Sequence, residues 1–256
     1  IPSLAIAAAL AVPSFVDDYR GLAVRWRLLI HLAAAALFLW ITLPGQPLWL
    51  QAFLVVAIVW MTNLYNFMDG SDGLAGGMTV IGFGCYAWAA GRGGDAALAL
   101  TCSSVAIAAL SFLAFNFHPA KVFLGDAGSI PLGFLAAAIG LTGWGRGHWG
   151  LWFPALVFSP FIVDATVTLL RRLARGERVW KAHREHYYQR LVRMGWGHRK
   201  TALVEYALMA ACAMGAVGAL MLPPGRRIAV LLLATGVYAL LLLGVHRLES
   251  RGRPLA

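Results

Sequence analysis

Of the 256 residues, 60% are hydrophobic and only 12% are charged, and the formal net charge is +10. Soluble domains carry about a quarter charged residues, so this composition excludes an ordinary soluble globule and points to a membrane protein. A membrane-spanning backbone must bond to itself as a helix or a closed barrel, and the apolar runs here lack a barrel strand's alternation.

Crossing a bilayer as a helix takes roughly 20 mostly apolar residues. Candidate spans lie near 1–16, 28–43, 48–64, 75–90, 96–115, 130–143, 151–170, 203–222 and 228–246. The expected fold is all-α, a polytopic integral membrane protein of about nine transmembrane helices. Little is left for a soluble domain, so residues 1–256 read as one transmembrane catalytic domain, with loops near 17–27, 62–77, 116–129 and 171–200. The chain opens IPSLAIAAAL, without a starting Met or a basic n-region, so it reads as the tail of a helix and not as a signal peptide. Cys85, Cys102 and Cys212 each fall inside an apolar run without metal spacing, as small buried hydrophobes do.

Alternate loops divide the basic residues unevenly. The set at 17–27, 62–77, 116–129, 171–200 and the tail from 246 holds 17 of the 21 Lys and Arg, which places it in the cytoplasm. The positive charge thus faces anionic lipid and an anionic substrate, with no call for nucleic acid. Asp17, Asp18, Asp69, Asp72 and Asp126 all lie in this set, while Asp95 faces outward. Five carboxylates on one face look like one site. A transporter would more often keep its ionisable groups near the bilayer midplane.

The first loop reads VDDYRGLAVRWR. Adjacent Asp17 and Asp18 repel, so they call for a shared cation or proton donor, or else for pairing with Arg20 or Arg25 at a helix end. The second reads NLYNFMDGSDGLAGG, where Asn63, Asn66, Asp69 and Asp72 recur every third residue, a spacing that brings them near one face of a helix end. Gly70, Gly73, Gly76 and Gly77 permit close backbone approach there. An EF-hand is excluded, since its ligand spacing and closing Glu are missing. The third loop, FNFHPAKVFLGDAGSIPLG, sets Asp126 between Gly125 and Gly128 just before an apolar span. Such an entry offers N–H groups to a phosphate, and Asp126 can hold a divalent cation beside it.

The long basic loop contains KAHREHYYQRLVRMGWGHR. His183 and His186 lack the further ligands that zinc needs. The stretch also reads as an interfacial amphipathic helix, with Tyr187, Tyr188, Leu191 and Trp196 against headgroups and His183, Arg184 and His186 presented to a diphosphate. Asp164, deep in FSPFIVDATVTLLRRL and roughly 10 Å along a helix from Arg171, is costly where it stands. Either it anchors a polar neighbour or it touches substrate.

Taken together, DDYRGL, NLYNFMDGSDGLAGG, NFHPAKVFLGDAGS and HREHYYQRL, in this order over residues 17 to 191, resemble the polyprenyl-phosphate N-acetylhexosamine-1-phosphate transferases, glycosyltransferase family 4. HREHYYQRL followed by GWGHR looks more like the bacterial O-antigen and capsule branch than the peptidoglycan branch, which has a run of histidines there. The resemblance implies that a membrane polyprenyl phosphate, undecaprenyl phosphate, attacks the sugar-bearing phosphorus of a UDP-N-acetylhexosamine and releases UMP. It implies Mg²⁺, with Mn²⁺ as a substitute, and a multi-pass protein of the bacterial cytoplasmic (inner) membrane with its site on the cytoplasmic face. A homodimer is one expected assembly. By position, Asp17 and Asp18 match the aspartate pair that takes the lipid phosphate's proton or organises the metal, and Asp126 matches the metal-binding aspartate. Phe123 matches an aromatic that stacks on uracil. Asn63, Asn66, Asp69 and Asp72 match the nucleotide pocket, with Asp72 the uracil contact. His183, Arg184 and His186 match the loop that meets the diphosphate or sugar. Family members carry two or three more helices before the aspartate pair, so the chain reads as an N-terminally truncated member of a ten- to eleven-helix fold.

Other membrane enzymes fit less well. The NDxxDxxxD pattern of intramembrane prenyltransferases and the DGxxAR of CDP-alcohol phosphotransferases are missing. A secondary transporter would explain the helices and Asp164 but would leave the four loop motifs without a use.

Overall fold

A computed structural model describes residues 2–179, 181 and 183–251; residue 1, residues 180 and 182, and the basic tail beyond 251 lie outside it. The described residues form α1 (Pro2–Arg20), α2 (Val24–Thr42), α3 (Leu48–Phe67), α4 (Leu74–Arg92), α5 (Ala96–Asn116), α6 (Gly125–Gly145), α7 (Trp152–Val157), α8 (Ser159–Ala174), α9 (Tyr187–Leu191), a π-helical turn (Val192–Trp196), α10 (Gly197–Leu220) and α11 (Pro224–Arg251). The protein is an all-α polytopic membrane protein.

Seven helical segments among the described residues are long and apolar enough to cross a membrane, against about nine expected. The other two expected spans are helical but fall short. The 1–16 run becomes α1, which carries Asp17, Asp18 and Arg20 in its last turn. The 151–170 run breaks at Phe158 into α7 and α8, where Ser159–Pro160 starts a new helix and Pro160 has no N–H to give the preceding turn. Large apolar side chains such as Leu100, Ile107 and Leu110 of α5 and Leu232, Leu233 and Leu240 of α11 point outward, as a lipid-facing surface requires.

Short connections make sequential helices antiparallel, so the ends of α1, α3, α5, α8 and α11 share one face, called the basic face below. The helix pair α4–α5, and α6 packed on both α1 and α3, form the centre of the bundle. Tyr65, Phe83, Tyr86, Phe153, Phe158 and Phe161 are all buried in it. Most of their rings meet edge-on, as with Tyr65 and Phe161 at 5.1 Å and 65°, while Tyr86 and Phe153 stack at 29°. Both tyrosine hydroxyls are satisfied, Tyr65 by Thr79 at 2.5 Å and Tyr86 by the Ala136 carbonyl at 3.1 Å.

The α3–α6 crossing is tight at Gly133. A Cβ there would stand 2.8 Å from the Met61 carbonyl oxygen and 2.9 Å from the Thr62 Cα, both backbone atoms that cannot swing aside. Small residues at such crossings allow helices in lipid to approach. Gly133→Ala is expected to destabilise the protein by about 1–3 kcal/mol. Gly84→Ala, whose Cβ meets nothing within 4 Å, is expected to have no such effect. Thermal unfolding of both variants in detergent checks this.

On the opposite face, Asp95 caps α5 by accepting the Leu98 N–H at 2.9 Å and meets Arg146 at 2.6 Å and His148 at 3.0 Å. Burial pushes its carboxyl up, but the Leu98 N–H, Arg146 and His148 outweigh this and hold it at about 2. A depressed carboxyl contributes stability above its unfolded value of about 4, lost as pH falls through about 2. Asp95→Asn is therefore expected to lower stability near neutral pH by up to about 1 kcal/mol, since the Arg146 partner is solvent-screened, and to make a much smaller difference at pH 2. Parallel melting curves at the two pH values test it.

Candidate active site

Three of the four loop motifs meet at the basic face around one arginine. Asp17 ends α1 with its carboxylate buried, one oxygen accepting the Leu22 N–H at 2.5 Å. Arg27 Nε stands 2.9 Å from the other oxygen without the alignment of a hydrogen bond. The same guanidinium reaches Asp126 at 3.2 Å. The arginine that partners Asp17 is thus Arg27, not Arg20 or Arg25. The turn at residues 21–23 reverses the chain and lays the first turn of α2 back over the end of α1.

Asp18 points the other way. Its carboxylate accepts the backbone N–H groups of Asp126 and Ala127, each at 3.0 Å, at the start of α6. These donors have no partner within the helix, and the positive end of the helix dipole favours the charge they receive. The close approach depends on Gly125, which has φ +64 and where a Cβ would stand 2.9 Å from an Asp18 oxygen. The N–H groups expected for a phosphate are thus, in part, already held by a carboxylate of the protein.

Asn66, in the last turn of α3, donates to Asp126 at 2.6 Å and lies 2.9 Å from the Ser129 hydroxyl. Asp69 follows beyond the helix and makes no ion pair among the described residues. Burial first, then the nearby charges of Asp126 and Asp18, push its carboxyl up to about 8. Asp17, Asp18, Asn66, Asp69 and Asp126 therefore share one acidic, oxygen-rich centre. Among the described residues no group of three His, Cys, Asp or Glu side chains stands close enough to cage a metal ion by itself.

The three-residue rhythm from Asn63 to Asp72 does not stay on one helix face, because α3 stops at Phe67. Asn63 sits one turn back, bonded to the Val59 carbonyl at 2.7 Å and to His31 at 3.2 Å. Asp72 turns to the third loop, 2.7 Å from His118 Nδ1 and accepting the Ala120 N–H at 3.2 Å. Burial raises its carboxyl, but His118 and the Ala120 N–H outweigh burial and hold it below the usual carboxylate range. Next to it, the Gly73 N–H bonds Asn116 at 3.0 Å, and Ser71 lies 2.9 Å from His198 of α10. The His118 and His198 rings stack at 5.8 Å. Phe123, on the same loop as His118, presents a 74% exposed ring.

The fourth motif is fixed by Asp164. One of its oxygens accepts the Tyr187 N–H at 2.9 Å and faces His186 Nδ1 at 3.2 Å, and the other accepts the Tyr188 N–H at 3.0 Å. The acid deep in α8 is thus the anchor for the start of α9. His186 is only 2% exposed, lying roughly parallel to Phe67 and Tyr188. Tyr188 in turn takes the Gly70 N–H at 3.1 Å and donates to the Phe67 carbonyl at 3.0 Å, tying this loop to the second motif. His183 stands 4.9 Å from His186, ring to ring. Burial first, then the neighbouring His186 and Arg172, lower its pKa to about 4, so it acts as a neutral hydrogen-bonding group near pH 7. Arg184 is exposed and lines a separate cavity. The expected interfacial helix is not formed. Tyr187, Tyr188 and Leu191 are buried against protein because α9 runs for only five residues before the π turn.

Arg27, Asn116, His118, Ser129 and His198 escaped sequence reasoning. Asn116 and His118 lie inside the NFHPAKVFLGDAGS string and were within reach; Arg27 and His198 are joined to the site only by tertiary structure.

Residues 1–143 match the model of glycosyl transferase family 4. A probable undecaprenyl-phosphate N-acetylglucosaminyl 1-phosphate transferase of Bacillus subtilis is 36% identical over 172 residues, 66% of this chain and 46% of that protein. Phospho-N-acetylmuramoyl-pentapeptide-transferases of Staphylococcus saprophyticus and Staphylococcus aureus are 33% and 35% identical, each over 61% of this chain and 49% and 47% of their own. The chain spans about half the length of the curated relatives it matches. It belongs to glycosyl transferase family 4.

Proposed function

We propose that the protein transfers an N-acetylhexosamine 1-phosphate from a UDP-sugar to undecaprenyl phosphate at the cytoplasmic face of the bacterial inner membrane. The product is a polyprenyl-diphospho-sugar, the first membrane intermediate of a cell-envelope glycan of the O-antigen or capsule type. The observation that carries this reading is the meeting of Asp17 and Asp126 at Arg27, with Asn66 and Asp18 bonded to Asp126 and Asp69 within reach of its charge, at the basic ends of membrane helices.

An oxygen of the lipid phosphate bonds to the sugar-bearing phosphorus, the bond from that phosphorus to the bridging oxygen breaks, and the electron pair leaves with UMP. The lipid phosphate, with a second pKa near 6, is largely ionised and needs little help from a base. Asp17, buried and facing Arg27, therefore serves to hold that guanidinium beside the phosphates. Asp18, bonded to the start of α6, fixes the position of Asp126. The Asp72–His118 pair and the exposed Phe123 ring supply a polar edge and a flat face for uracil. Neutral His183, with Arg184, is assigned to the diphosphate and sugar, and His186 shapes that loop from behind.

The donor set suits Mg²⁺, with Mn²⁺ as a substitute. It is all oxygen, and no cationic side chain among the described residues pairs with Asp69, whose ionised form a bound cation would favour. Asp126 and Asp69 would hold the ion. The lack of a complete protein cage fits a cation that takes its other ligands from water and substrate phosphates. When bound, it offsets the charge of the diphosphate and of departing UMP.

A cavity of about 340 Å³ runs along α3 from Phe53 to Leu64, lined also by Tyr86, Leu141 and Phe158, and ends two residues before Asn66. Its apolar walls suit an isoprenoid chain whose phosphate rests at the acidic centre. UDP-N-acetylglucosamine labelled with ³²P at the sugar-bearing phosphate tests the reaction class. Phosphosugar transfer moves the label into the lipid fraction; ordinary glycosyl transfer would leave it on UDP and overturn the proposal.

A further inference from the structure

A second cavity, of about 230 Å³, opens on the basic face among α8, the loop before α9, the π turn and the end of α11. Five arginines line it: Arg171, Arg175, Arg184, Arg190 and Arg193. Two of them are compensated, Arg190 by Glu249 of α11 and Arg175 by Glu177 and Glu185. Arg171 has only the Tyr187 hydroxyl, at 2.8 Å, and Arg184 and Arg193 meet no carboxylate among the described residues. Glu185 and Glu249 line the cavity too, so five arginines face two carboxylates and three guanidinium groups are left without counter-charge in one small space. Converging like charges are unfavourable unless an anion joins them, and guanidinium is the side chain best suited to a phosphate.

The cavity is pre-shaped. Tyr187 lies under two of the arginines, 4.5 Å from Arg190 and 5.9 Å from Arg171. It is also offset from the acidic centre, since none of Asp17, Asp18, Asp69, Asp72 and Asp126 lines it, and it adjoins the site above only at Arg184. Its position indicates where the anion comes from. Glu249 is in the last turns of α11, a helix with most of its spanning length unburied by protein and Leu232, Leu233 and Leu240 turned outward. A phosphate held here would have its acyl chains beside that lipid-facing surface. Basic clusters at the ends of membrane helices recognise anionic headgroups in this way.

We propose that this arginine cavity binds the phosphate headgroup of an anionic membrane phospholipid. The bound lipid joins α8, α11 and the basic loop, and so steadies the segment that carries His183 and Arg184.

The test titrates the full-length protein in detergent with phosphatidylglycerol, phosphatidylcholine or inorganic phosphate and counts bound molecules by native mass spectrometry. Phosphatidylglycerol is expected to be retained and phosphatidylcholine not. Arg171→Gln and Arg193→Gln should each weaken retention about five-fold, the worth of one basic contact, while Arg193→Lys keeps most of it. Melting curves establish that the variants are folded. Equal retention of the two lipids, or retention unchanged in the Arg171→Gln/Arg193→Gln double variant, would overturn the proposal. Displacement of phosphatidylglycerol by an equal concentration of inorganic phosphate would overturn the lipid assignment and leave a free-phosphate site.

Discussion

Asp126→Ala is expected to lower UMP release by at least about a hundred- to a thousand-fold while the protein still inserts and folds, since charge stabilisation in the transition state is typically worth that much. Asp126 is where the site's contacts converge. Asn66 donates to its carboxylate, Arg27 pairs with it, and its own N–H is held by Asp18. Removing the carboxylate costs Asn66 and Arg27 one contact each, but Arg27 stays paired with Asp17, Asn66 stays bonded to Ser129 and the α6 N-terminus stays bonded to Asp18. The loss should therefore fall on turnover and not on stability. Asp126→Asn keeps the shape without the charge and should be nearly as inactive. Near-normal turnover in either variant, at an unchanged melting temperature, would remove Asp126 from the chemistry.

Asp164→Ala is expected to act in the opposite order, on structure first. Its carboxylate takes two backbone N–H groups and the His186 ring, all buried. Deleting one partner of such a buried charged network costs about 3–5 kcal/mol, because the remaining groups have no water to turn to. Tyr188 would lose its anchor, and with it the contacts of its hydroxyl to Gly70 and Phe67. Limited proteolysis should then cut within 183–196 at concentrations that leave the parent intact. Activity should fall with the loop's order, and Asp164→Asn, which still offers one acceptor oxygen, should recover part of both. An alanine variant with a protected loop and unchanged melting would show that the anchor is not Asp164.

The sequence carried the membrane class and the positions of the loop motifs well, because both are local signals. Apolar runs mark helices, and a string such as NLYNFMDGSDGLAGG or GDAGS stands out between them. What it could not carry was pairing across the fold. Arg20, Arg25 and Arg27 are equivalent in a string, and only the turn at 21–23 selects Arg27. The break at Phe158 was hidden because both halves of the 151–170 run are apolar. The start of α6 at Gly125 was missed because a glycine-rich stretch reads as a loop, although here Asp18 supplies the cap. Asp164 illustrates the same limit. Its cost within an apolar helix was evident, but its partners lie 22 to 24 residues away.

The central claim is that this acidic centre performs phosphosugar transfer to a membrane lipid. Its most direct test is UMP release by the purified full-length protein given undecaprenyl phosphate, Mg²⁺ and a panel of UDP-N-acetylhexosamines, with and without EDTA. The account predicts UMP with at least one donor, dependent on both the lipid phosphate and the metal ion, and abolished by EDTA. UMP release that is indifferent to EDTA, or no release from any donor by a folded sample, would contradict it.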